Sequence, residues 1–75
     1  SVEGRGERAE RQKREKEQAR IEKDIEAREA RVKALELQLA DPEIYHDGAR
    51  ARALVTEYER LRTELESLWQ RIGEL

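Results

Sequence analysis

From Leu54 to Leu75 the apolar residues stand at Leu54, Tyr58, Leu61, Leu65, Leu68, Ile72 and Leu75, in steps that alternate four and three. That spacing keeps one narrow stripe of an under-wound helix turned toward a partner helix. A stripe this narrow leaves water only against a second helix. The chain supplies one: Ile21, Ile25, Arg28, Val32, Leu35 and Leu39 follow the same alternation. The spacing therefore predicts an all-α fold, a two-helix antiparallel intramolecular coiled-coil hairpin with a charged N-terminal extension.

Composition agrees with long helices rather than a globular core. Of the 75 residues, 45% are charged and 36% apolar, with no Phe, Met or Cys and one Trp. Such a mix with a heptad period is that of coiled coils. A dozen or so seam residues are available for burial, each worth roughly 1.5–3 kcal/mol before chain entropy is subtracted. Entropy offsets most of that, so a marginally stable hairpin is expected. The absence of cysteine excludes disulfides and thiolate metal sites and fits a reducing, cytoplasmic setting. No apolar run is long enough to span a membrane and no signal-peptide pattern is present, so no membrane partner is expected.

In order along the chain, Ser1 to Gly6 reads as a flexible linker. Glu7 to Arg20 is nearly all charged or amide side chains: helix propensity is high, but no apolar face exists to hold the helix down. Residues 1–20 are thus a charged linker, flexible or a frayed helix, and 21–75 form the hairpin. The first helix covers about 21–40, the turn 41–47 and the second helix about 48–75. Asp41-Pro42 stops the first helix, because a residue before proline is pushed out of the helical region. Asp47 caps the second. Ile44 and Tyr45 are expected to fold beneath the tip and cover the last seam layer.

Folding the chain at the tip sets Leu39 against Leu54, Leu35 against Tyr58, Val32 against Leu61, Arg28 against Leu65, Ile25 against Leu68 and Ile21 against Ile72. This register brings Arg31 near Glu64, Asp24 near Arg71 and Glu29 near Arg62, all attractive. A one-heptad slip sets Asp24 against Glu64. Arg28 is the one polar seam residue. Either its stem lies along the seam with the guanidinium in water, or it specifies pairing or binding.

Residues that carry chemistry are scarce. Gly4 and Gly6 lack the Lys-Ser/Thr and the preceding strand of a phosphate loop. His46 is the only histidine; beside Asp47 at the tip it reads as a turn residue rather than a ligand or base. Carboxylates lie on solvated helix faces, and a two-helix hairpin has no interior for a substrate. No catalytic and no metal-binding residue is assigned. One pattern does stand out. Lys13, Lys16, Arg20 and Lys23, spaced three, four and three, form a basic stripe away from the seam, with Arg5, Arg8, Arg11 and Arg14 adding charge upstream. Seven Lys/Arg against five Asp/Glu fall in residues 1–20, and nine against thirteen in the rest. Such a stripe suits successive phosphates of a nucleic acid. The alternative is a solvated face, diluted by Glu10, Glu15, Glu17 and Glu22. Trp69 flanks the seam and is expected to cover the open end of the hairpin, with base stacking or partner docking as the functional alternatives.

The segments KALELQLADPEIYHD and LVTEYERLRTELESLWQRIGEL resemble the C-terminal coiled-coil domain of ABC-F ATPases, the Uup-like group. Asp41, Pro42, Glu43, Ile44 and Tyr45 match that family's turn, and Trp69, Arg71, Glu74 and Leu75 its ending. Ile72 stands where the family often has Trp, and Gly73 where it has Glu. The resemblance implies an accessory arm that binds nucleic acid, DNA or else rRNA or tRNA on the ribosome. It also implies that ATP and magnesium belong to cassettes outside these residues. Lys13, Lys16, Arg20, Lys23, Arg14 and Arg11 are then the candidate nucleic-acid contacts, on a monomeric hairpin. A second resemblance, to the N-terminal helical region of bacterial release factors, rests on the Asp-Pro turn and the Leu54 to Tyr58 helix start; the ending fits it less well. A third reading is a protein-interaction or oligomerisation hairpin without nucleic acid.

Overall fold

The computed structural model describes residues 2–75; of the segment read as a linker, Ser1 lies outside the described residues. Helix α1 spans Arg5–Ala40, a short 3-10 helix Pro42–His46 and helix α2 Gly48–Gly73. The molecule is a rod of 64 × 15 × 14 Å. The helices are antiparallel: Glu17, early in α1, meets Arg71 near the end of α2, while Arg31 meets Glu57 nearer the tip. This is the all-α hairpin that the two seams predict. Residues 7–20 lie within α1, one 36-residue helix continuous with the seam.

The buried residues are Ile21, Ile25, Val32 and Leu35 from α1, Ile44 from the tip, and Ala51, Leu54, Leu61, Leu65 and Leu68 from α2. Leu39, Tyr58 and Ile72 pack against this core partly exposed. Every apolar position of the first seam is therefore used. Ala51 adds one residue that the seam reading began too late to include. It lies three positions before Leu54, so the first turn of α2 is already under cover.

The tip is built by two aspartates and a proline. Asp41 has extended backbone (φ −81°, ψ 117°), and its side chain accepts from the Glu43 amide at 3.0 Å. Pro42 sits at the start of the 3-10 helix, where a missing N–H costs nothing. Asp47 accepts from the Arg50 amide at 3.1 Å and caps α2. Ile44 turns inward as expected. Tyr45 does not: the residue is 57% exposed, and its hydroxyl instead donates to the Leu39 carbonyl at 2.6 Å. That oxygen belongs to the last turn of α1, which has no helical N–H left to accept from. The phenol is thus used for its O–H and not for its ring.

The flanking charges correct the expected pairing. Arg31 meets Glu57 rather than Glu64, through two bonds of 2.8 and 2.7 Å. Arg71 meets Glu17 rather than Asp24, at 2.9 Å. Among the described residues Glu29 and Arg62 form no salt bridge. Both replacements are one heptad from the expected partner and so lie on the same helix face. Glu64 is occupied by Arg28 at 2.9 Å and by Arg60 at 3.0 Å. Coiled-coil side chains insert between four residues of the facing helix. A seam residue therefore has no single opposite number, and long flanking side chains choose between carboxylates one heptad apart. Arg28 itself is half-buried, with its guanidinium on Glu64 and on the Asp24 carbonyl. It ties the helices together rather than merely reaching water.

Two predictions follow from this packing. Leu35 is fully buried and Leu37 is 76% exposed. Leu35→Ala should therefore cost about 2–5 kcal/mol, enough to unfold a marginal hairpin, while Leu37→Ala stays within about 0.5 kcal/mol. Circular dichroism melts of the two variants distinguish them. The second prediction concerns acid. The Arg31 hydrogen bonds hold Glu57 below the ordinary glutamate range, and Arg28, then Arg60, do the same for Glu64. A carboxylate depressed on folding contributes stability above its unfolded pKa of about 4.3. That contribution is lost as pH falls through the depressed folded values. Urea titrations at neutral pH and near pH 3 should show acid weakening, smaller in Glu57→Gln/Glu64→Gln.

Candidate functional site

At about 100° per residue, the side chains of α1 divide among three faces. One carries Ile21, Ile25, Val32 and Leu35 and is covered by α2. The second carries Lys13, Lys16, Arg20 and Lys23, with Arg5, Ala9 and Ala27 on the same strip and no carboxylate among them. The third carries Glu22, Glu26 and Glu29 and lies beneath Trp69 of α2. The stripe and the Trp69 face are turned roughly 130° apart.

All four stripe residues are exposed. Among the described residues Lys13, Lys16 and Lys23 form no salt bridge. Arg20 is bonded to Glu17. Glu17 also takes Arg71, so one carboxylate is shared by two arginines and the local sum stays positive. Arg71, expected beside Asp24, is bonded one heptad away at Glu17. Through Glu17 it comes to the edge of the stripe, beside Arg20.

Two of the six candidate cations lie elsewhere. Arg11 is turned roughly 160° from the stripe. Its Nε donates to both oxygens of Glu3 at 3.2 and 3.0 Å, and its Nη1 to Glu15 at 3.0 Å. Those carboxylates raise its pKa above the usual arginine value. Arg14 is roughly 140° from the stripe, beside Glu3, Glu7 and Glu10. Spacing decides this: thirteen to sixteen is a same-face step, whereas eleven and fourteen advance onto other sides.

The stripe begins where α1 is single. Arg71 is the last residue of α2 to bond across the hairpin, and it reaches Glu17. The turns of α1 before Glu17 carry Lys13 and Lys16 past the reach of α2, and about 15 Å of helix separates Lys13 from Lys23. Nothing in α2 covers the first half of the stripe.

The remaining candidates, His46 and Trp69, lie away from the stripe. His46 is exposed at the tip, with Nε2 3.5 Å from Glu43, while Asp47 is engaged at the α2 cap. Trp69 is 55% exposed. It does not close the open end of the hairpin but lies along its side, over Ile25, Ala30 and Lys33. Among the described residues no group of His, Asp or Glu is placed to hold a metal ion, and no helix is long and apolar enough to cross a membrane.

The family model described as ABC transporter C-terminal domain covers residues 9–75. No curated protein and no solved structure matches the chain. The match includes both seams, the Asp-Pro tip and the basic stripe, and it sets aside the likeness to release factors. A helical hairpin with this span is an accessory domain of an ABC-type ATPase and not an ATPase cassette. The chain belongs to the ABC transporter C-terminal domain family.

Proposed function

We propose that this hairpin is a nucleic-acid-binding arm of a cytoplasmic ABC-F ATPase of the Uup-like group, contacting phosphates through Lys13, Lys16, Arg20 and Lys23. The observation that carries this reading is the face itself. Exposed cations follow one another along a strip of helix without a carboxylate, and three of them form no salt bridge among the described residues. Phosphates condense counterions, and lysines that replace those ions gain free energy from their release. Such contacts position a protein on a nucleic-acid backbone without reading bases.

Arg71 extends the same field across from α2, because Glu17 cannot neutralise both Arg20 and Arg71. Arg11 and Arg14 contribute charge but point elsewhere, so they act at a distance rather than as contacts. The arm is non-catalytic, and DNA or ribosomal RNA offers the same phosphate chemistry. In this reading ATP and magnesium are bound outside these residues, in keeping with a sequence that has no glycine-rich phosphate loop. Nucleotide hydrolysis belongs to cassettes outside it.

Anisotropy titrations with labelled duplex DNA and an RNA hairpin test the proposal. Four phosphate contacts should give a slope of about −3 to −4 in log K against log salt between about 50 and 200 mM. Lys13→Glu/Lys16→Glu/Lys23→Glu should weaken binding by about tenfold or more for every sequence and flatten the slope. Arg14→Glu should change it several-fold less. A slope near zero, or a triple variant that binds like the parent, overturns the reading.

A further inference from the structure

The third face of α1 takes no part in the contacts proposed for the stripe. Trp69, the chain's single tryptophan, lies exposed over a shallow groove floored by Ile25 and Ala30. Tryptophan is enriched in protein–protein interfaces relative to the rest of a protein's surface. The rim of this groove is acidic. Glu22, Glu26 and Glu29 line it on α1. The groove continues past Trp69 between Glu36 and Glu66, with Lys33 and Arg62 the only cations on either stretch. Among the described residues Glu26, Glu29, Glu36 and Glu66 form no salt bridge, and Glu22 accepts only from the neutral Gln18 amide. Arg62, the expected partner of Glu29, leaves it unpaired.

We infer that the Trp69 groove docks a basic, arginine-bearing segment of a protein partner. Charge complementarity selects this occupant. Carboxylates around the groove repel a phosphate backbone and attract guanidinium groups. Arginine also stacks on an indole face while its apolar neighbours pack against the indole edge and Ala30. The groove is thus a second surface, of opposite sign to the stripe and roughly 130° away around α1. The arm can hold a polyanion on one side and a basic protein segment on the other.

Because Trp69 is the only tryptophan, its emission reports on the groove directly. The probe is a synthetic amphipathic peptide with arginine and leucine at helical spacing, which has no tryptophan. Controls are the same peptide with glutamate for arginine and a short duplex DNA. Added to the full chain, the arginine peptide should shift Trp69 emission saturably, and neither control should. Glu22→Gln/Glu26→Gln/Glu29→Gln should weaken binding by about tenfold or more. Trp69→Leu, followed with a labelled peptide, should weaken it comparably while circular dichroism stays unchanged. Lys13→Glu/Lys16→Glu/Lys23→Glu should leave it as it is, which separates this outcome from that of the nucleic-acid test. Equal binding by the rim variant overturns the proposal. So does an emission shift caused by DNA, or one caused by raising the chain's own concentration, which would make the occupant a second copy.

Discussion

Burial of two narrow apolar stripes against each other is the interaction on which everything else in this molecule depends. Neither helix has a second apolar face, and the rod is only one helix pair thick. Removing the stripes from water is the main favourable term available, and it acts along the whole length from the Ile44 tip to Ile21 and Leu68. Polar contacts refine that burial. Arg28 turns the one charged seam position into a cross-helix bond with Glu64, and Arg31 grips Glu57 with two bonds. These pairs are solvent-accessible, so they guide orientation more than they add stability.

The narrowness of the core also frees the rest of the surface. Once α2 covers about a third of α1, two thirds remain, and they have opposite character. One is basic and without carboxylates over Lys13 to Lys23. The other is acidic with an indole laid across it. A helix pair keeps such faces apart more rigidly than a loop would, because each side chain's direction follows from its number. The hairpin thus carries two chemically distinct flanks on one accessory domain of an ABC-type ATPase.

Much of this was legible in the heptads. The alternation of four and three, repeated in both halves, already required a helix pair, and Asp41-Pro42 located the fold-back. The basic stripe was equally legible, since its three-four-three spacing is a helical face by arithmetic. Other details were not. Tyr45 carries both a ring and a hydroxyl, and composition cannot say which will be used; the open Leu39 carbonyl decided it. Arg31 and Arg71 could each reach either of two carboxylates one heptad apart, and sequence spacing treats those alternatives as the same face.

The sequence by itself determined the helices, the turn between them and the side of α1 on which its lysines stand, because each follows from periodicity or from the limits proline sets on the residue before it. Tertiary structure alone decided that Arg71 would reach Glu17, already bonded to Arg20, that Arg31 would take Glu57, and that Trp69 would lie open beside Glu26 and Glu29. Those outcomes depend on how far one helix slides along the other. That offset is set by interlocking side chains across the interface, and a one-dimensional pattern does not contain it.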